Sequence, residues 1–305
     1  MANSDTDKTA NNLYVGRFAP SPTGPLHFGS LLAALASYFD AHYHQGKWLI
    51  RMEDIDPPRE MPRAKERILE ALDVYQLYSS EPIIYQSQRS ELYQNALDLL
   101  IAQHSAFPCT CSRKQLASVN GIHFSNCHSQ TQNGKLSFAW RFDCQSQKTP
   151  DRVLFHDALQ GEFSQSIQKD IGDFVVKRKD QLWAYQLAMV VDDHLQGVTH
   201  VVRGIDLIDS TLRQNLLQRA LGYSIPQYAH IPVACAHNGQ KLSKQNLAPA
   251  LDLIYPEDNL WRALSWLRQD PPKNLRSTSV KEILAWGIEH WQPNTLKNIE
   301  NQAAI

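Results

Sequence analysis

The strongest constraint on the fold is the stretch "LYVGRFAPSPTGPLHFGSLLAALASYF", in which an apolar strand passes through a proline-rich turn into an apolar helix. One face of that helix carries Leu31, Leu32, Leu35, Tyr38, Phe39 and His42. Gly46 predicts the end of the helix, and "KWLIRMED" predicts a second strand. Strand, crossover helix and strand form a βαβ unit, which implies a parallel sheet with ligands at the carboxyl ends of its strands.

The rest of the chain continues this α/β pattern and interrupts it once. Helical patterns recur at about 63–78, 89–105 and 209–222, whereas residues 106–172 carry a cysteine cluster and short strands such as "SFAWRFD" and "VLFHD". We therefore predict a Rossmann-like α/β nucleotide-binding domain with a zinc-bearing insertion and a short helical C-terminal region. The predicted divisions are a disordered tail at 1–12, a first catalytic half at 13–105, the insertion at 106–172, a second catalytic half at 173–240, and a lysine loop with a helical region at 241–305.

Composition narrows the class of protein. The 305 residues provide for two or three domains, and the hydrophobic content of 43% is typical of a protein with a real core. No apolar run approaches the roughly 18 residues that span a bilayer, and the polar start has no apolar signal region. We expect a cytoplasmic monomer that does not bind membranes. The net charge of −1 neither requires nor excludes nucleic acid, and the basic groups at 113–114 and 177–179 are small.

The turn before the first helix has the features of a phosphate site. A helix N-terminus presents unpaired N–H groups and partial positive charge to an anion. Gly24 and Gly29 would let a nucleotide approach the backbone, and His27 would hydrogen-bond a phosphate. The stretch has no GK[ST] and is not a P-loop. The alternative for His27 is a cap or a packed residue.

A second polar stretch, "KLSKQ" at 241–245, lies more than 200 residues after the first. Lys241 and Lys244 flank a serine, an arrangement that suits a mobile loop folding over a departing pyrophosphate. The alternative is an exposed basic loop with no role in catalysis.

Three of the five cysteines fall within nineteen residues and predict a metal site. Cys109, Cys111, His123 and Cys127 have the spacing C-x-C-x11-H-x3-C, and three thiolates with one imidazole make a closed tetrahedral zinc site. His128 is the rival fourth ligand, and incidental free thiols are the alternative to a metal. A structural zinc would stabilise an insertion too small to bury much core.

Taken together, the two polar stretches resemble the signatures of class I aminoacyl-tRNA synthetases. "HFGS" at 27–30 corresponds to the HIGH motif and "KLSKQ" to KMSKS, with Ser30 in place of the second histidine. The blocks "RFAPSPTGPLH", "IRMEDIDPPR", "AYQLAMVVDD" and "THVVRGIDL" are similar to those of the glutamate branch, in the same order. The resemblance covers about residues 13–245.

This resemblance implies an ATP-dependent ligase that makes glutamyl-adenylate, with Mg²⁺ accompanying the ATP. It implies that the catalytic residues are His27, Lys241 and Lys244, and that ATP binds His27, Gly29, Ser30 and Lys244. It implies that the glutamate site comprises Arg17, Phe18, Ala19, Pro20, Ser21, Glu53, Tyr185 and Arg203. In that site two arginines would hold the carboxylates, Glu53 would pair with the ammonium group, and Tyr185 would donate a hydrogen bond.

Two further groups of charged residues invite a catalytic role. We expect a structural salt-bridge network for Arg51, Asp54, Asp56 and Arg59. We expect a packing and hydrogen-bonding cluster at a strand end for Asp192, Asp193 and His194.

About 60 residues follow "KLSKQ", and we expect them to leave no space for a separate anticodon-binding domain. In length, in "LHFGS" and "KLSKQN", and in its cysteine cluster, the chain resembles the short glutamyl-Q paralogues of the glutamate branch, although His123 replaces their usual tyrosine. That resemblance implies tRNA-independent activation of L-glutamate and its transfer to queuosine at the wobble position of tRNA(Asp). The alternatives are a truncated glutamyl-tRNA synthetase that charges a 3′ end and a non-catalytic RNA-binding paralogue.

Overall fold

The computed structural model describes residues 13–117, 122–123, 137–145, 151–235 and 249–303. The predicted tail at 1–12 lies outside the described residues. The helices are α1 Phe28–Tyr43, α2 Ala64–Val74, α3 Ser90–Ala102, α4 Arg113–Ala117, α5 Tyr185–Leu195, α6 Ile208–Leu221, α7 Pro256–Trp266 and α8 Val280–Glu289. The strands are β1 Val15–Phe18, β2 Lys47–Met52, β3 Ile84–Tyr85, β4 Ala106–Cys109, β5 Ala139–Phe142, β6 Arg152–Asp157, β7 Gly161–Ser166, β8 Phe174–Lys177, β9 His200–Gly204, β10 Gln227–Ile231, β11 Val233–Cys235 and β12 Asn301–Ala303.

The predicted βαβ unit forms the centre of the molecule. β1 pairs with β2 in parallel, with Val15 opposite Lys47, and β2 pairs in parallel with β3. On its other side β1 lies beside β9, because Thr199 N donates to Val15 O at 3.0 Å. β9 pairs in parallel with β10, and β10 with β6. The order β3-β2-β1-β9-β10-β6-β7 confirms the predicted α/β class, with the first six strands parallel and β7 antiparallel to β6 at the end.

Helix α1 lies against this sheet and is covered on its other side by the C-terminal helices. Leu31, Leu35 and Phe39 are fully buried in one core with residues of α7 and α8. Gly287 of α8 is required there, because a Cβ atom at that position would come within 2.6 Å of the Phe39 ring. The predicted C-terminal helical region therefore shares one hydrophobic core with α1.

The end of α1 differs from the prediction. The left-handed residue is Gln45, with a φ of +54°, and not Gly46. Gly46 is needed for a different reason, since a Cβ atom there would collide with the backbone of Tyr14. The glycine permits close packing of two chain segments and does not cap the helix.

A separate antiparallel sheet of β4, β5 and β8 carries the cysteine region. The predicted strands in "SFAWRFD" and "VLFHD" are present as β5 and β6. Although β6 and β7 fall within residues 106–172, the hairpin that they form extends the central sheet. The division of the chain into domains stays a prediction.

The segment "YQLAMVVDDHL" is helix α5, so the expectation that Asp192, Asp193 and His194 end a strand was wrong. A continuous apolar run does not distinguish a buried strand from a buried helix by periodicity alone. In the part of the chain that the structure describes, no helix combines the length and the apolar character needed to cross a membrane.

Candidate functional site

A cavity of about 330 Å³ opens at the carboxyl ends of β1, β9 and β10. We call it the strand-end cavity. It brings together every predicted catalytic, ATP-binding and glutamate-binding residue that the structure describes: Arg17, Phe18, Ala19, Pro20, Ser21, His27, Gly29, Ser30, Glu53, Tyr185 and Arg203. The first and last of these residues lie more than 180 positions apart in the chain, and the parallel sheet brings them together.

The N-terminus of α1 forms one wall of the cavity. His27 is the N-cap, and its Nδ1 accepts a hydrogen bond from Ser30 N at 3.3 Å. Because Nδ1 accepts, the proton of the neutral ring lies on Nε2. The preceding turn needs Gly24, whose φ of +151° is strained for other residues. The cap predicted as the alternative for His27 is therefore present, in a position that also faces the cavity.

Two oppositely charged side chains in the cavity each have a buried atom with no hydrogen-bond partner in the described part of the chain. Arg17 Nε donates to Asp193 Oδ1 at 3.3 Å, while its Nη2 has no hydrogen-bond partner among the described residues. Glu53 Oε2 accepts from Ser21 Oγ at 3.2 Å, while its Oε1 likewise has none. Burial raises the pKa of Glu53 to about 7, against the opposing influence of Arg51 and Arg17. The cavity thus offers one unmatched cationic and one unmatched anionic group to a ligand.

The guanidinium group of Arg203 already forms several hydrogen bonds within the protein, whereas the predicted bidentate grip on a carboxylate requires two free N–H groups. Its Nε donates to His230 Nε2 at 3.0 Å, and its Nη1 donates to Gln214 Oε1 at 2.9 Å. Its Nη2 donates to Leu207 O at 3.2 Å and Thr211 Oγ1 at 2.8 Å. Among the described residues, four of the five guanidinium N–H groups are therefore engaged, and the second N–H of Nη1 has no partner there.

A buried ionic cluster beneath the cavity holds Arg17 in place. Asp193 accepts from Arg51 Nη2 at 2.7 Å as well as from Arg17, and all three side chains are buried. Asp192 accepts from Arg89 Nε at 2.6 Å and from Tyr93 OH at 2.7 Å. Sequence analysis assigned both aspartates to packing but did not connect Asp193 with Arg17. A pair of carboxylates in an apolar run was the available signal, since buried charges require partners.

The other predicted structural charges form ion pairs nearer the surface. Asp54 accepts from Lys65 Nζ at 2.7 Å, and Asp56 pairs with Arg59 and with Arg178 Nη1, the latter at 3.0 Å. Salt bridges are therefore present at all four predicted positions, although Arg51 belongs to the buried cluster and the others do not.

The cysteine–histidine cluster comprises Cys109, Cys111 and His123, whose ligand atoms lie within 4.8 Å of one another. His123 Nε2 lies 3.4 Å from Cys109 Sγ, while its Nδ1 lies 3.0 Å from Asp173 Oδ2. A carboxylate behind a histidine orients the ring toward a metal. The predicted fourth ligand Cys127 and its rival His128 lie outside the described residues.

Electrostatics favour the thiolate form of Cys109. Burial opposes ionisation, but hydrogen bonds from His123, from the Cys111 amide and from Arg141 lower the pKa of Cys109 to about 6. Thiolates and imidazoles are the ligands that zinc prefers. The three described residues therefore fit a zinc ion in donor type, in spacing and in the support behind the histidine.

The lysines of "KLSKQ" lie outside the described residues, but the chain on both sides of that segment attaches at the strand-end cavity. Ala234 lines the cavity before it. After it, Ala250 pairs with His27, and Leu251 N donates to Leu26 O at 2.9 Å.

Comparison with known proteins assigns the chain to a family. A model of "tRNA synthetases class I (E and Q), catalytic domain" matches residues 14–264. The chain is 46% identical over 292 residues to the "Glutamyl-Q tRNA(Asp) synthetase" of Serratia proteamaculans, covering 96% of this chain and 94% of that protein. It is 45% identical over 299 residues to the protein of that name from Pseudomonas fluorescens, covering 96% and 98% of the two chains.

Solved structures share the fold. The glutamate-tRNA synthetase of Elizabethkingia anophelis superimposes with a TM-score of 0.78 at 21% identity, covering 95% of this chain and 68% of that one. A Mycobacterium tuberculosis methionyl-tRNA synthetase superimposes with a TM-score of 0.53 at 11% identity, covering 83% and 64%. The family match and the two relatives show that the chain belongs to the class I tRNA synthetase family of the E and Q type, among the proteins named Glutamyl-Q tRNA(Asp) synthetase.

Proposed function

We propose that the chain activates L-glutamate with ATP in the absence of tRNA, and then transfers glutamate to the queuosine base at the wobble position of tRNA(Asp). The observation that carries the first step is a pair of buried atoms in one cavity, Arg17 Nη2 and Glu53 Oε1, neither of which has a hydrogen-bond partner in the part of the chain that the structure describes. Glutamate carries two carboxylates and one ammonium group. A ligand with both signs of charge would satisfy both atoms at once.

Each pocket residue then has one task in holding glutamate. Arg17 binds one carboxylate, and the remaining N–H of Arg203 binds the other. Glu53 accepts hydrogen bonds from the ammonium group, and Tyr185 donates its hydroxyl proton to a substrate oxygen. Phe18 and the Ala19–Ser21 backbone form the wall behind them.

ATP binds at the N-terminus of α1. The backbone at Gly29 and Ser30 approaches the phosphates, and His27 donates from Nε2. Lys241 and Lys244 neutralise the pyrophosphate, together with Mg²⁺ brought by the ATP. The attachment of Ala234 and Ala250 at the cavity supports this role for the lysines that lie between them.

Activation is a displacement at phosphorus. An oxygen of the glutamate α-carboxylate attacks the α-phosphorus of ATP, and the bond to pyrophosphate breaks. No covalent enzyme intermediate is required, so the residues act by positioning the reactants and stabilising charge.

Transfer follows from the adenylate. The relatives from Serratia proteamaculans and Pseudomonas fluorescens are named Glutamyl-Q tRNA(Asp) synthetase, which supports tRNA(Asp) as the acceptor. In the transfer step a hydroxyl of queuosine attacks the glutamyl carbonyl carbon, and AMP leaves. An adjoining groove of about 750 Å³ shares Ser21, Thr23, Glu53 and Tyr185 with the strand-end cavity, which supports entry of a nucleotide from that side.

The test has two stages. ATP–pyrophosphate exchange should occur with glutamate in the absence of tRNA and should be much weaker with glutamine, which lacks the second carboxylate. No exchange with any amino acid would instead favour a non-catalytic RNA-binding protein.

In the second stage, tRNA(Asp) with and without queuosine is charged with labelled glutamate and digested with nuclease. We expect the label on an anticodon fragment, and only when queuosine is present. Label on the 3′-terminal adenosine would contradict the proposal and favour a truncated glutamyl-tRNA synthetase.

We further propose one structural zinc ion per chain, held by Cys109, Cys111, His123 and Cys127. The fit of the first three to a zinc ion supports the site. The ion would tie β4 to the chain that precedes β8 and has no role in the phosphorus chemistry.

A further inference from the structure

Behind Arg203 lies a buried chain of polar groups that does not reach the strand-end cavity. His230 Nε2 is 3.0 Å from Arg203 Nε, and His230 Nδ1 is 2.5 Å from Asp157 Oδ2. Asp157 and His230 are both 0% exposed, and neither lines the cavity. Fully buried carboxylates and imidazoles are costly unless each is paired, so this arrangement calls for an explanation.

The hydrogen bonds determine the tautomer of His230. Arg203 Nε can only donate, so His230 Nε2 must accept and carries no proton. The ring proton therefore lies on Nδ1 and is donated to Asp157 Oδ2. Burial and the charge of Arg203 lower the pKa of His230 although Asp157 opposes them, which keeps the ring neutral.

Asp157 is itself fixed by the backbone. Its Oδ1 accepts from the amides of His230 at 3.1 Å, and of Leu159 and Gln160, both at 3.0 Å. The two carboxylate oxygens therefore have separate tasks. Oδ1 anchors the residue to the chain, and Oδ2 selects the tautomer of the histidine.

We propose that Asp157 and His230 are positioning residues for Arg203. By holding His230 in the Nδ1–H form, Asp157 provides an acceptor for Arg203 Nε and sets the rotation of the guanidinium group. That rotation leaves the last Nη1 N–H for the substrate carboxylate. The inference rests on the proposed function only in taking the ligand of Arg203 to be glutamate.

Asp157 lies in a different part of the chain from the two residues that it is proposed to position. Asp157 ends β6, in the hairpin that falls within residues 106–172, whereas Arg203 and His230 lie on the neighbouring strands β9 and β10. The hairpin contacts β10 through the pair Tyr228 and Asp157. The amino-acid site therefore depends on a hairpin that contributes no residue to the cavity wall.

Asp157→Asn is the sharpest test, because the amide oxygen can keep the three backbone hydrogen bonds of Oδ1. Its NH₂ group replaces Oδ2 and donates to His230 Nδ1, which moves the ring proton to Nε2. The N–H groups of His230 Nε2 and Arg203 Nε, both donors, then face each other and cannot form a hydrogen bond. We expect the KM for glutamate in ATP–pyrophosphate exchange to rise about 10- to 100-fold. The KM for ATP should change much less.

Two substitutions of His230 provide a matched pair. The amide oxygen of His230→Gln can take the place of Nε2 and accept from Arg203, whereas the shorter side chain of His230→Asn can serve only Asp157. We expect the KM for glutamate to be about tenfold lower in His230→Gln than in His230→Asn. Equal values in the two variants would contradict the positioning role.

Nitrogen-15 NMR of histidine-labelled protein tests the tautomer without any assay of activity. A protonated Nδ1 and bare Nε2 are expected for His230 in the wild type, and the reverse in Asp157→Asn. A protonated Nε2 in the wild type would overturn the inference, even if the protein failed to activate glutamate. An equal rise in both KM values for Asp157→Asn would also overturn it. Asp151→Asn, at the residue that immediately precedes β6, is the control and should leave both KM values unchanged while thermal melting reports on folding.

Discussion

The strand-end cavity and the cysteine–histidine cluster differ in whether their buried polar atoms have hydrogen-bond partners. In the cavity, Arg17 Nη2 and Glu53 Oε1 are buried without hydrogen-bond partners among the described residues. In the cluster, His123 is supported by Asp173, and the Cys109 sulfur receives hydrogen bonds from Cys111 N and Arg141. An unpaired buried polar group costs roughly 1–3 kcal/mol. The cavity is thus built for a ligand that arrives and leaves, and the cluster for a group that stays.

The two regions also differ in how far apart their parts lie in the sequence. Arg17 and Arg203 are brought together only by the parallel sheet, because β1 and β9 are neighbours. Cys109, Cys111 and His123 lie within fifteen consecutive residues. Damage to the cluster should therefore affect the stability of one region, and damage to the cavity should affect the chemistry.

Removing two ligands from the cluster should have the largest effect. We expect Cys109→Ser/Cys111→Ser to reduce bound zinc from about one ion per chain to nearly none, because structural zinc binds with about 10 kcal/mol or more. Metal analysis of purified protein measures this. Cys235→Ser is the matched control, since that half-buried thiol lies outside the cluster. Full zinc content in the double variant would show that the ligand set is wrong.

In the cavity, Glu53→Gln keeps the shape of the side chain and removes its charge. We expect kcat/KM for glutamate activation to fall by about 10²- to 10³-fold, because the substrate ammonium group loses its buried counter-ion. Exchange kinetics measure the loss, and normal zinc content would confirm that the two regions are independent. Glu60→Gln, on the rim of the adjoining groove, should retain exchange. A fall in kcat/KM of less than about threefold in Glu53→Gln would contradict the role of Glu53 as the counter-ion of the substrate ammonium group.

Lys244→Ala tests the polar segment that lies outside the described residues. We expect glutamate activation to fall roughly 10²-fold, the usual loss when one charge-stabilising donor is removed from a transition state. Melting temperature and zinc content should stay as in the wild type. An unchanged exchange rate in a normally folded variant would remove Lys244 from the active site.

The pH dependence should show the smallest effect. Glu53 has a raised pKa of about 7 and must be ionised to bind an ammonium group. As pH falls from 8 to 6, kcat/KM for glutamate should drop by about tenfold, because this parameter reports the pKa values of the free enzyme. Glu53→Gln should lose that step in the profile. A flat wild-type profile across this range would contradict the assignment of Glu53.

Much of the fold was predictable because its signals are local. The βαβ unit follows from the spacing of apolar residues and from the turn before α1, and both are present. Prediction failed where one local pattern fits two structures. The apolar run in α5 suited a strand as well as a helix, and Gly46 suited a helix cap although it serves close packing against Tyr14.

For the site, the sequence by itself determined which side chains could bind a ligand, and its motifs indicated which of them act together. Only the tertiary structure decided that Asp193 orients Arg17, and that Asp157 and His230 support Arg203. Asp193 lies 176 residues from Arg17, and Asp157 lies 73 residues from His230, so no periodicity or spacing links the partners. Hydrogen bonds of this kind depend on which strands and helices become neighbours, and that choice is made by burial of the whole core rather than by any one segment.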